Sequence, residues 1–284
     1  MKNSVKVQRE IKRVWTVKPQ QESPIHKVGL VLEPGNWAEF DPFLMMAEDW
    51  FQAGVFDFHP HRGIETVTYV IEGSLEHYDN NFGSGRIETG DAQWMTAGRG
   101  VIHKETPPVG QEVHTLQLWV NLKSAEKMAE PRYQDLRLSE LPVRQEEGAT
   151  IRIFSGTSGD VTSATKNHVP VTMLEVTLEP GAKVTQELPG SYNGFIYVLE
   201  GQGTFGQNKI EAAKNQVLLL GAAEDAENSE ISVEAGEKLR FLLFAGEPVR
   251  ERVVAYGPFV MNSEEQIMQA FADYRAGKFA SKNA

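Results

Sequence analysis

Apolar and polar positions along this chain alternate mainly in short runs of period two. Residues 114–122 (HTLQLWVNL) show it most clearly, with Leu116, Leu118 and Val120 on one face and Thr115, Gln117 and Trp119 on the other. Successive side chains of a strand point to opposite sides, so this spacing predicts a strand with two different faces. Residues 66–72 (TVTYVIE) are β-branched and aromatic and stop at Gly73. Comparable runs lie at 150–154, 171–178, 194–199, 215–220 and 239–244. Glu-Gly at 72–73, Pro-Gly at 180–181 and Glu-Gly at 200–201 separate many of them. Short strands at this spacing predict a barrel or sandwich rather than alternating βαβ units.

One segment departs from this pattern. Ser263-Glu264-Glu265-Gln266 has the form of a capping box, and Ile267, Phe271 and Tyr274 follow at i, i+4 and i+7. Gly277 can end the helix, and the apolar stripe is expected to dock on a barrel. A weak repeat relates residues 65–73 (ETVTYVIEG) to residues 193–201 (NGFIYVLEG), as a duplication would. The stretch 123–148 is charged and carries Pro131 and Pro142, as a connector would. At 284 residues the chain is long enough for two domains. They are expected at 1–135 and 136–284, with the helix in the second.

Composition narrows the chemistry. The chain has no cysteine, which excludes disulfides, iron–sulfur clusters and thiolate zinc and leaves nitrogen and oxygen as metal ligands. A net charge of -11 argues against direct binding to nucleic acid or anionic membranes. The basic N-terminus lacks the apolar core of a secretory signal, and no apolar run reaches the roughly 18–20 residues of a membrane helix. A cytoplasmic protein is expected.

Three of the seven histidines fall in two short patterns, His59-Pro60-His61 and His103-Lys104-Glu105. On extended strands, residues i and i+2 share a face, so each pair can reach one ion. Two such pairs on neighbouring strands would supply three nitrogens and one oxygen. Taken alone, either pair is equally compatible with a hydrogen-bonded surface or core pair. The glycine-rich run from Gly90 to Gly100, leading into His103, supplies the close backbone packing of a barrel corner beside a metal. His77 and His114 read as hydrogen-bonded histidines, and Arg62 and Arg99 as rim residues that orient carboxylates or form ion pairs. Phe43, Met45, Phe58, Trp94 and Met95 are expected in the core, some lining an apolar pocket for a flat aromatic ligand. The second half contains only His168 and no His-x-His pair, so its barrel is expected to hold no metal.

Several of these segments together resemble a known family. DPFLM at 41–45, HPHRGIETVTYVIEG at 59–73, GDAQWMTAGRGVIHKE at 90–105, LQLWVNL at 116–122 and PFVMNSEEQIMQAFADYRAGKF at 258–279 are similar to the pirins, within the cupin superfamily. The resemblance implies an all-β bicupin of two stacked, jelly-roll-like β-barrels with a short C-terminal helix. The first barrel would bind metal and the second would be a degenerate cupin. It places the iron ligands on His59, His61, His103 and Glu105, with Fe(II) as cofactor. Such a donor set would also take manganese, nickel, copper or zinc. The generic cupin pattern takes its carboxylate from the first motif, where Glu65 stands; the pirin pattern takes it from the second, leaving Glu65 a structural role. The implied activity is that of a quercetin 2,3-dioxygenase, an oxidoreductase that opens a flavonol heterocycle with release of carbon monoxide, and Glu105 would serve as its base. Two other readings accompany it. One is a dioxygenase with a substrate other than a flavonoid. The other is a metal- or redox-dependent regulatory protein that binds a transcription or metabolic-enzyme partner without turnover. A monomer is expected in each case.

Overall fold

The computed structural model describes residues 6–279 apart from 81, 82 and 224, and every count below is of those residues. Each run of period two forms a strand. The 171–178 run does so with the expected bounds, as Val171–Leu178, and the 114–122 run as Glu112–Asn121. The two halves of the repeat occupy matching hairpins. Ile64–Glu72 turns at Gly73 into Ser74–Asp79, and Asn193–Glu200 turns at Gly201 into Gln202–Phe205.

The strands form two compact units, and the chain enters both of them twice. One unit combines the described residues up to Lys18 with Leu141–Pro248; the other combines Pro19–Glu140 with the residues from Val249 onward. The contiguous division expected at 135/136 is therefore corrected at both ends. Ile11–Thr16 pairs with Gln216–Leu220, and Val7–Gln8 pairs in parallel with Asn228–Ala235. These N-terminal strands cover sheet edges that would otherwise expose unpaired backbone groups. The charged 123–148 stretch is also more than a connector, since Arg132–Leu136 pairs along Ala92–Thr96.

In the unit containing Leu141–Pro248, a seven-stranded sheet and a five-stranded sheet enclose an apolar interior. Ile151, Ile153, Leu174, Ile196, Leu218, Phe205 and Phe241 fill it, all nearly inaccessible to water. The unit containing Pro19–Glu140 has a seven-stranded sheet in the order Arg132–Leu136, Ala92–Thr96, Ile64–Glu72, Glu112–Asn121, Phe43–Gln52, His26–Leu32 and Gln20–Ser23. A four-stranded sheet runs Phe56–His61, Val101–Thr106, Ser74–Asp79, Gly83–Glu88. Hydrogen bonds from Thr68 and Gln117 on the first sheet to Glu105 on the second show that these faces meet. Here part of the interior is polar, alongside apolar clusters such as Phe51, Val70, Leu75, Ile87 and Val113. Cross-strand rows carry Gln93, Thr68 and Gln117, and next to them Tyr133, Met95, Thr66 and Trp119. The polar face predicted for the 114–122 strand thus points inward.

The helix forms over Glu264–Arg275 with both bonds of its capping box, between Ser263 and Gln266. The expected stripe packs at Ile267 and Phe271, the latter against the Phe259 ring at 4.8 Å, and the covered face extends beyond it. Ile267, Ala270 and Asp273 are covered, whereas Phe271 is half-buried and Tyr274 is exposed. Beside the apolar contacts of Ile267 and Ala270, Asp273 pairs with buried Arg62 at 2.9 Å, so the covered face also carries an ion pair. Among the described residues no helix is long and apolar enough to cross a membrane.

Arg9 fixes the N-terminal segment to its unit. Its buried guanidinium donates to the carbonyls of Tyr192, Pro189, Gly190 and Gly221 and to Ser229 Oγ, at 2.7–3.2 Å. Arg9→Ala leaves these acceptors without that donor and is expected to cost about 2–4 kcal/mol. Urea unfolding measures this; a change within about 0.5 kcal/mol, the usual surface effect, would show that the segment is not anchored there.

Candidate metal centre

Strand register brings the two histidine pairs together. Val101–Thr106 lies between Phe56–His61 and Ser74–Asp79, with His103 opposite His59, Val101 opposite His61, and Glu105 opposite His77. Phe56–His61 is the edge strand, where the N–H that Pro60 lacks is not needed for a further ladder. The rings of His59, His61 and His103 have centroids 4.4–5.0 Å apart. One nitrogen from each lies within 4.8 Å of the others.

These imidazoles suit a cation. His59 Nδ1 donates to the Asp57 carbonyl at 2.8 Å, which leaves Nε2 as a lone-pair donor. Both ring nitrogens of His61 and of His103 are buried without a hydrogen bond. Burial pushes His61 down to about 3, and His59 adds to this; the Pro258 carbonyl opposes it from outside hydrogen-bond geometry. Burial likewise holds His103 well below the usual histidine range, with His61, His59 and His77 reinforcing it. Neutral, unpartnered, converging imidazoles are costly inside a protein unless something accepts their lone pairs. A divalent transition metal does so.

Glu105 is buried beside the histidines but is not a member of that close group. Its Oε1 accepts from Thr68 Oγ1 at 2.9 Å and its Oε2 from Gln117 Nε2 at 2.7 Å. Glu65 lies elsewhere. It aligns with Thr96 and Arg132 in a cross-strand row, accepts from Thr96 Oγ1 at 2.7 Å, and is completely buried. Alternation along Ile64–Glu72 puts it on the opposite face from Thr68, away from the imidazoles.

Three of the four remaining histidines pair with carboxylates: His26 with Asp49 at 2.7 Å, His77 with Asp79 at 3.2 Å, and His114 with Glu48 at 2.8 Å. Arg62 donates to the Arg99 carbonyl and to Asp273 and lies over the Phe279 ring; Arg99 pairs with Glu130. Phe43, Trp94 and Met95 are buried and Met45 partly so. Phe58 is 57% exposed, so its expected core position is corrected. It alternates with His59 on an edge strand and therefore faces outward.

Sequence reasoning did not find Tyr133, Asp79, Thr68 or Lys127. The Tyr133 ring stands 4.4 Å from His77, and burial, then Asp79 and Glu105, push its hydroxyl above the usual tyrosine range. Buried Lys127 donates to the Gly63 carbonyl and to Asn121 Oδ1, and burial pushes its amine down to about 7. Gly63 has φ +80°, and a Cβ there would sit 2.0 Å from the Val260 carbonyl. The glycine after His61 is thus fixed by close backbone approach. RYQDL at 132–136 has no apolar alternation, with Tyr133 and Leu136 on opposite faces, so no local signal marked Tyr133.

Two family models match the chain: one described as pirin over residues 33–120, and one described as the pirin C-terminal cupin domain over residues 173–280. Human pirin is 43% identical over 244 residues, covering 84% of this chain and 82% of that protein. The crystal structure of GK1651 from Geobacillus kaustophilus matches with a TM-score of 0.87 at 60% identity, over 88% of this chain and 100% of that one. A quercetin 2,3-dioxygenase from Acinetobacter baumannii matches with a TM-score of 0.84 at 30% identity, over 95% and 98%.

Lys278 and Arg62 hold the Asp273 carboxyl well below the usual range. A carboxylate depressed on folding stabilises the native state above its unfolded pKa of about 3.9, and that stabilisation fades as pH falls toward the folded value. Asp273→Asn should therefore lower the urea midpoint at pH 7, with the gap to wild type closing below about pH 4. A pH-independent gap would mean that the carboxylate charge is not what holds the helix.

Proposed function

This chain belongs to the pirin family, and on that premise we propose that it is an iron-dependent dioxygenase acting on a flavonol such as quercetin. His59, His61 and His103 would hold Fe(II), with Glu105 as the accompanying carboxylate. The observation that carries this reading is the convergence of three neutral imidazoles beside a carboxylate whose two oxygens accept hydrogen bonds. The likeness to a quercetin 2,3-dioxygenase from Acinetobacter baumannii supports the choice of substrate class. Fe(II) in this position supplies Lewis acidity toward an enol oxygen and redox chemistry toward dioxygen.

The protein's own groups have separable tasks. Glu105 accepts the proton of the substrate hydroxyl. Donors from Thr68 and Gln117 hold its two oxygens in place before substrate arrives. His59 is held in one tautomer by the Asp57 carbonyl. The Trp119 ring stands edge-on to His61 at 5.2 Å, and Tyr133 stands against His77. Such aromatic walls suit a flat aryl ligand. The polar interior supplies hydrogen bonds for its hydroxyls, and burial keeps bulk water from competing.

Protein reconstituted anaerobically with Fe(II), then given quercetin and dioxygen, is expected to bleach the flavonol absorbance and release an equivalent of carbon monoxide. No turnover across several flavonols and metals would sink the dioxygenase reading and leave metal-dependent regulation. His61→Ala should lose both metal and turnover; full activity in that variant would refute the ligand assignment. Glu105→Gln should lower kcat by about 10²–10⁴-fold, the usual contribution of a general base.

A further inference from the structure

Glu105 ends a directed chain of hydrogen bonds. Trp119 Nε1 donates to Gln117 Oε1 at 3.2 Å, and Gln117 Nε2 donates to Glu105 Oε2 at 2.7 Å. Thr68 Oγ1 donates to the other carboxylate oxygen at 2.9 Å. Gln117 and Trp119 are two apart on Glu112–Asn121 and share its inward face, and Gln117 lies opposite Thr68. The same indole meets the His61 ring edge-on, with centroids 5.2 Å apart.

The chemistry of these groups allows one direction only. An indole N–H is a donor and nothing else, so the amide must turn its carbonyl toward Trp119. Its NH₂ then faces Glu105, and an ionised carboxylate is acceptor-only. The carboxylate and the indole both demand this orientation, and Trp119 anchors the far end of the amide so that its NH₂ stays aimed at Glu105. Charge-assisted bonds of this kind are shorter and stronger than neutral ones, so the arm holds the carboxylate in place.

We propose that Gln117, oriented by Trp119, is a positioning residue that sets where the Glu105 carboxylate stands relative to the three imidazoles. The inference rests on the metal site proposed above and goes beyond it by assigning the group that aims its carboxylate. The indole that orients the amide also borders His61, so one side chain serves both the nitrogen and the oxygen side of the site. Gln117→Leu frees the carboxylate to turn. Trp119→Phe keeps an aromatic ring against His61 but removes the N–H that anchors the carbonyl end of the amide.

The test is Cu(II) binding without substrate, read by chelator competition and by electron paramagnetic resonance. Thermal melts of each variant run alongside. Gln117→Leu is expected to weaken Cu(II) binding by about 10–100-fold, the range for groups that orient metal ligands, and to change the copper spectrum. Trp119→Phe is expected to shift the spectrum the same way by a smaller amount while its melting temperature stays near wild type. It also keeps the inference testable if Gln117→Leu does not fold. Wild-type affinity and spectrum in folded Trp119→Phe would overturn the inference, as would a Gln117→Leu variant that loses only thermal stability. His103→Ala serves as the control. If it binds Cu(II) as tightly as wild type does, the metal site falls and the inference with it. If the control loses the ion and Trp119→Phe changes nothing, the inference alone falls.

Discussion

A polar group taken out of water must find another partner, and the interior of the Pro19–Glu140 barrel is organised around that requirement. Its sheets turn threonine, glutamine, histidine and carboxylate side chains toward one another where a typical barrel would turn aliphatic ones. Glu105 has Thr68 and Gln117, His77 has Asp79, and His26 has Asp49. Burial raises Asp49 above the usual carboxylate range, and the His26 hydrogen bond works against that rise. The nitrogens of His61 and His103 are the conspicuous exceptions, and they converge with His59. An ion among these three rings would satisfy that requirement.

The other unit shows the alternative solution to the same problem. Its interior is closed by Ile, Leu, Val and Phe side chains that need no partners. The repeated hairpins at Gly73 and Gly201 show one framework used twice, with the inward positions exchanged from apolar to polar in one copy. Function on such a framework resides in those positions rather than in the strands that carry them.

Segments distant in sequence hold the histidine-bearing strands in place. Arg62, directly after His61, is engaged by Asp273 and Phe279, while Gly63 packs against the Val260 carbonyl and receives Lys127 at its own. The Phe56–His61 strand, at a sheet edge, has a ladder partner on one side only. Side-chain ion pairs and close backbone contacts from the C-terminal segment supply the constraint on the other. The position of His61 thus depends on residues some two hundred places further along the chain.

Local rules in the sequence determined the strands, the capped helix and the sharing of a face by His59 with His61 and by His103 with Glu105. Each depends on a repeat of two residues or one turn, which is visible within a short window. The preference for Glu105 over Glu65 came only through the family motifs; in the folded sheet, alternation puts Glu65 on the face away from the imidazoles. Tertiary structure alone decided the exchange of termini between the barrels, the inward turn of Asp273, the outward turn of Phe58 and the arrival of Tyr133 at His77. These follow from strand order and register, which bring together residues far apart in the chain and which no local periodicity encodes. Periodicity says that two side chains share a face; only the pairing of sheets says what that face meets.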